Sequence, residues 1–160
     1  MTGRVVIGIG NEFRHDDGIG PAVLELLRTR VPGSVRLVAS DGEPARLLEE
    51  WAGAELAIVV DALPPFAGDG TDPVPPAAGQ VRRVVVDEVA AASSATASSH
   101  GLGLPEAVGL GLVLGRMPGR LIIHAVRAAD CGYGVGLSAQ VAAAATAVAV
   151  AVLHDLDAAG

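Results

Sequence analysis

Three short apolar runs, Arg4–Ile9, residues 35–39 and residues 56–60, alternate with two segments whose apolar residues recur every three or four positions. In the first, PAVLELLRTR, Val23, Leu26 and Leu27 fall at helical spacing; in the second, Pro44–Trp51, Leu47, Leu48 and Trp51 share one side. An apolar run without polar alternation has no face to offer water, so such strands lie in a sheet covered on both sides, and strands joined through helices run parallel. The chain therefore opens as βαβαβ. Right-handed crossovers put the second strand on one side of the first and the third on the other, a local order of 2-1-3.

Residues 63–79 carry five prolines among Gly and Asp, which suits a surface excursion. Val81–Val86 reads as a fourth strand, and since no helix separates it from the third, as an antiparallel edge strand. An Ala/Ser stretch over residues 90–99 leads to His100. A helix is expected over 105–114 with Gly115 as its C-cap, a fifth strand over 121–126, and a long helix from the N-cap Ser138 to about residue 156. The expected fold is a three-layer α/β/α sandwich around a five-stranded, mostly parallel sheet with one antiparallel edge strand.

The 160 residues suit one domain over residues 1–160. With 51% hydrophobic but only 2% aromatic residues, the core must be built from Ala, Val, Leu and Ile. All eleven basic residues are Arg and the net charge is −7, so no basic surface is available for nucleic acid or anionic lipid, and neither is expected as a partner. The one cysteine, Cys131, has no intrachain disulfide partner, and Met1 leads straight into a strand without a signal-like segment; a cytoplasmic location is expected. The most apolar stretch, residues 141–153, falls short of the roughly 20 residues that span a bilayer, so no membrane segment is expected.

In an open α/β sheet a crevice forms outside the carboxyl ends of the strands where neighbouring connections diverge, here after strands 1 and 3. The first connection holds Asp16 and Asp17, and the third strand is closed by Asp61. All three are expected to converge on that crevice, an arrangement that favours a bound cation or proton. Helix capping by Asp16 or Asp17, and an Asx turn at Asp61, are the plainer alternatives. A dinucleotide fingerprint fails: Gly8 and Gly10 supply its first two glycines, but Phe13 stands at the third. His124 reads as a packed strand residue. Cys131, Ser98 and Ser99 lack the surroundings of a covalent nucleophile.

The ordered set GIGNEFRHDDGIGPAV, SDGEPARLLEEW, VVDAL, SSHGLGL and GYGVGLSAQV resembles the hydrogenase maturation proteases nearly end to end. The resemblance implies an endopeptidase that removes the C-terminal extension of a [NiFe]-hydrogenase large-subunit precursor after nickel insertion. Carried over by position, it implies Asp17, Asp61 and His100 as metal ligands, with Asp17 and Asp61 also catalytic, the ion being a divalent metal identified with the nickel of the substrate. Two carboxylates and one imidazole leave open positions on such an ion. A non-proteolytic module of the same fold, a nickel-checking chaperone, is the competing reading. Three departures stand out: His15 replaces a Gly common in the family, either as an extra ligand or as an altered turn; the loop after the fifth strand reads AVRAADCGYG where relatives usually have an acidic residue near Arg127; and the final helix lacks the common Pro at position 139.

Overall fold

A computed structural model of the chain describes residues 3–65, 76–86 and 103–159. Strand β1 (Arg4–Ile9) lies between β2 (Val35–Ser40) and β3 (Leu56–Leu63), parallel to both. On the far side of β3, β5 (Arg120–Arg127) continues the parallel run, and β4 (Val81–Val86) pairs antiparallel with β5 at the edge. The order is β2-β1-β3-β5-β4, which contains the expected 2-1-3 step and the expected antiparallel edge.

The two-residue period of the strands sends alternate side chains into two cores. Val6, Ile58 and Val60 pack under helices α1 (Ile19–Leu27) and α4 (Ala139–Ala159), while Val5, Ile7, Ala57 and Val59 pack under α2 (Pro44–Trp51) and α3 (Gly103–Leu114). The result is the expected sandwich. With so few rings to fill space, backbones approach closely: a side chain at Gly8 would collide with Gly20 of α1, and one at Gly20 with the backbone of Gly8 and Ile9. Gly20 therefore provides the close helix-to-strand packing that Phe13 cannot; Phe13 is exposed. The large Trp51 is fully buried and donates its indole N–H to Arg116 O, 3.0 Å away, joining α2 to the turn after α3. Helix α2 starts where it does because Glu43 accepts from the Ala45 and Arg46 N–H groups and Pro44 is preset for the first turn.

Three boundaries differ from expectation. Strand β3 runs on to Leu63 because β5 extends to Arg127 and supplies partners; Asp61 lies inside the strand, opposite Ala125, not beyond its end. Helix α3 begins at Gly103. Helix α4 has 21 residues and is by length and composition apolar enough to cross a membrane. Its stripe of Val141, Ala144, Ala145, Val148, Ala149, Val152 and Leu156 is nonetheless occupied, packed into the first core. The expected Ala/Ser stretch over 90–99, and residues 66–75 of the proline-rich segment, lie outside the described residues.

A polar cluster crosses the edge of that core. His124 of β5 is buried, with Nε2 2.7 Å from Asp155 Oδ2 of α4, and Arg83 of β4 donates through Nη2 to Asp155 Oδ1 at 2.7 Å. The reading of His124 as a packed strand residue holds, with a partner on α4 that the sequence did not suggest. Burial pushes the His124 imidazole below its ordinary pKa. Burial works against ionisation of Asp155 too, but hydrogen bonds from Arg83 and His124 outweigh it and hold that carboxyl low.

Candidate functional site

At the carboxyl ends of β1, β2 and β3 a cleft of about 410 Å³ opens toward the α3 side of the sheet. Ile9, Gly10, Asn11, Arg14, Asp17 and Asp61 line it together with Asp41 and Gly42 after β2, and Gly103 and Leu104 at the start of α3. Asp17 is held by its Oδ2, which accepts the Asn11 N–H at 2.9 Å. Gly10 makes the fold-back possible: its φ of +137° suits glycine, and any side chain there would meet the Asp17 carbonyl. Asp61, only 6% exposed, accepts the Ala62 N–H through Oδ1 at 2.8 Å. Burial pushes its carboxyl up to about 7; the Ala62 hydrogen bond opposes this, and the negative charge of Asp17 adds to it. Among the described residues, each carboxylate is thus fixed by one backbone donor through one of its two oxygens.

Asp16 does not join them. It is fully buried and faces the β5–α4 connection, accepting the N–H groups of Ala129, Asp130 and Ser138 and the Ser138 hydroxyl at 2.7 to 3.0 Å. Burial opposes its ionisation, but these donors outweigh it and its pKa falls below the ordinary value. Neighbouring residues of a tight 3-10 turn, His15–Gly18, point in different directions, which the sequence-level convergence of Asp16, Asp17 and Asp61 overlooked. Neither Asp16 nor Asp17 caps a helix by its side chain. Ser138 stands at the N-cap of α4, its carbonyl accepting the Ala142 N–H, while its hydroxyl serves Asp16.

His15 lines a second depression, and its Nδ1 lies 3.0 Å from Gly136 O. Its φ of +43° lies in the left-handed region that favours glycine, which accords with the Gly that the resemblance implies here. The altered-turn reading fits this position, away from the cleft lined by Asp17 and Asp61. His100 lies outside the described residues. Among the described residues, no group of three His, Cys, Asp or Glu side chains is placed to hold a metal ion. Cys131 is a free thiol whose pKa is raised by burial and by the nearby charges of Asp17 and Asp16, the opposite of an activated nucleophile.

Sequence reasoning gave no role to Asp41 or Arg14. Asp41 follows β2, the strand next to β1, so the 2-1-3 order already placed it beside the first connection. Arg14 is the only cationic side chain among the described residues lining the cleft.

A family model described as hydrogenase maturation protease (HycI) matches residues 22–155. The chain belongs to this family. As a family member it is 30% identical over 137 residues to the hydrogenase expression/formation protein HupM of Azotobacter chroococcum mcd 1, a match covering 81% of this chain and 61% of that protein's length. In fold it is similar to the hydrogenase maturating endopeptidase HybD of E. coli, with a TM-score of 0.78 at 24% identity over 99% of this chain and 94% of the other. It is also similar to the [NiFe] hydrogenase maturation protease HybD of Thermococcus kodakarensis, with a TM-score of 0.67 at 21% identity over 96% and 98%. Asp61 and His100 fall within the span that the family model matches, and Asp17 lies just before it.

Proposed function

We propose that this protein is the endopeptidase that removes the C-terminal extension of a [NiFe]-hydrogenase large-subunit precursor once nickel is in place. The observation that carries the reading is the pairing of Asp17 and Asp61 in one cleft, where burial and the neighbouring charge give Asp61 a proton affinity near neutrality. A carboxyl group poised near pH 7 suits general-base work, and a docked cation would draw that value lower. In this reading Asp61 takes a proton from the attacking water and returns it to the leaving amine, while Asp17, fixed by the Asn11 N–H, lies in the same cleft. Two carboxylates suit a divalent ion: among the described residues Asp17 and Asp61 each keep one oxygen that accepts no backbone N–H, and the resemblance adds His100, which lies outside those residues. In this reading the ion is the substrate's, the nickel seated in the folded precursor; on docking Asp17 and Asp61 would hold it, and it would supply Lewis-acid polarisation of the scissile carbonyl. The acidic cleft is thereby a check on metal loading.

The test compares nickel-loaded with nickel-free precursor and follows loss of the C-terminal peptide by mass. Cleavage of the loaded form alone is expected. Equal cleavage of both defeats the metal check, and cleavage of neither points to the nickel-checking chaperone.

A further inference from the structure

We infer that Arg14 binds the substrate's backbone, donating hydrogen bonds to a peptide carbonyl oxygen next to the scissile bond. The inference rests on the processing reading above and assigns the residue that positions its substrate. Three of the charged side chains lining the cleft, Asp17, Asp41 and Asp61, can only accept hydrogen bonds when ionised. A peptide presents a carbonyl for every N–H, so beside these acceptors it needs donors; the Asn11 amide is a neutral one, and a charge-assisted bond to a carbonyl needs a cation. Arg14 is the charged side chain there that supplies one.

Its guanidinium is held for the task. Arg14 Nε donates to Cys131 O at 3.1 Å, which leaves the two terminal amines at the outer end of the group. The Tyr133 ring lies 5.6 Å from the guanidinium carbon, within cation–π range. The backbone beneath is fixed as well: Arg14 forms a parallel bridge with Gly134, His15 N–H donates to Gly134 O, and Gly134 N–H donates to Phe13 O. Tyr133 is 92% exposed, so the core gains almost nothing from it. Its ring lies beside the one cation that lines the cleft among the described residues. The acidic lining also selects the partner: the aspartates around it, Asp61 among them once above its pKa of about 7, repel a substrate carboxylate but not a neutral carbonyl.

The experiment measures kcat and KM on the nickel-loaded precursor for wild type, Arg14→Met, Arg14→Lys and Tyr133→Ala, alongside thermal unfolding. Loss of one charge-assisted hydrogen bond raises KM by about tenfold in Arg14→Met. Values of kcat and the unfolding midpoint close to wild type, part of the KM recovered by Arg14→Lys, and a smaller KM rise in Tyr133→Ala complete the expected result. Unchanged KM in Arg14→Met overturns the inference. So does a fall in kcat and midpoint at constant KM, which marks a purely structural tie between the two loops. A KM ratio between Arg14→Met and wild type that shrinks as salt is added identifies a carboxylate partner and overturns the carbonyl assignment. Wild-type protein that leaves the loaded precursor intact sinks the processing reading and this inference with it, an outcome distinct from active wild type with an indifferent Arg14.

Discussion

Asp61 is a buried acid whose cost is borne by the fold. In the unfolded chain its carboxyl gives up its proton near 3.8, in the fold near 7, so between those values unfolding releases a proton and stability falls as pH rises. Above pH 7 the full penalty is present. Asp61→Asn keeps a side-chain oxygen for the Ala62 N–H and removes the ionisable group; at pH 8 it should be more stable than wild type by on the order of 1 kcal/mol or more, with processing abolished. Denaturant titration and the precursor assay read the two effects separately. At His15 the backbone decides: His15→Gly should stay within about 0.5 kcal/mol of wild type, relief of the left-handed conformation offsetting loss of the exposed contact to Gly136 O, whereas the β-branched His15→Val should cost more than about 1 kcal/mol. Alkylation of Cys131 under native conditions should be slow and leave Asp17 and Asp61 competent, because its thiol is held protonated. Complete inactivation by a thiol reagent with the fold intact would contradict this.

Among elements, the tie from β4 and β5 to α4 has a measurable pH signature. The unfolded imidazole takes a proton near 6.5 and the buried one only at lower pH, so the His124 contribution is lost as pH falls below about 6.5; Asp155 adds a loss of the same sign below its unfolded value of 3.8. Asp61 acts with the opposite sign in part of this window, so each contribution is read as the difference between wild type and its own variant across pH. Asp155→Asn should cost about 1.5 to 3 kcal/mol, since Arg83 and His124 both lose an ionised acceptor. The elements themselves were legible in the sequence because hydrophobic period and punctuation agree: Arg4–Ile9, Pro44–Trp51 and Val81–Val86 have the expected bounds, each set by Gly, Pro or a change of period. The course of β3 past Val60 was not, since what extends it is a neighbour, β5, more than fifty residues later. For the same reason Asp17 and Asp61 could be placed in one cleft by strand order, while Asp16 could not be separated from Asp17. Side-chain direction within a 3-10 turn depends on the loop it packs against. Nothing in the local sequence announced that Asp155 would meet His124.

Across the whole molecule, the two ends of the chain are fastened together. Arg4 Nη1 donates to Leu156 O at 2.8 Å, and α4 supplies seven residues of the first core. A chain ending before α4 should therefore fail to fold, giving no cooperative thermal transition, and not merely a weaker enzyme. The buried carboxylate of Asp16 extends this dependence to the cleft, because the turn that presents Asp17 is pinned to donors at positions 129, 130 and 138. Contacts of such long sequence separation form late in folding. On a ribosome, the first 63 residues can already pair β1 with β2 and β3, yet the turn carrying Asp17 lacks the donors that hold its neighbour until residues 129–138 have been made. The nascent protein thus carries its acidic residues for most of its synthesis without the cleft that gives them a common purpose.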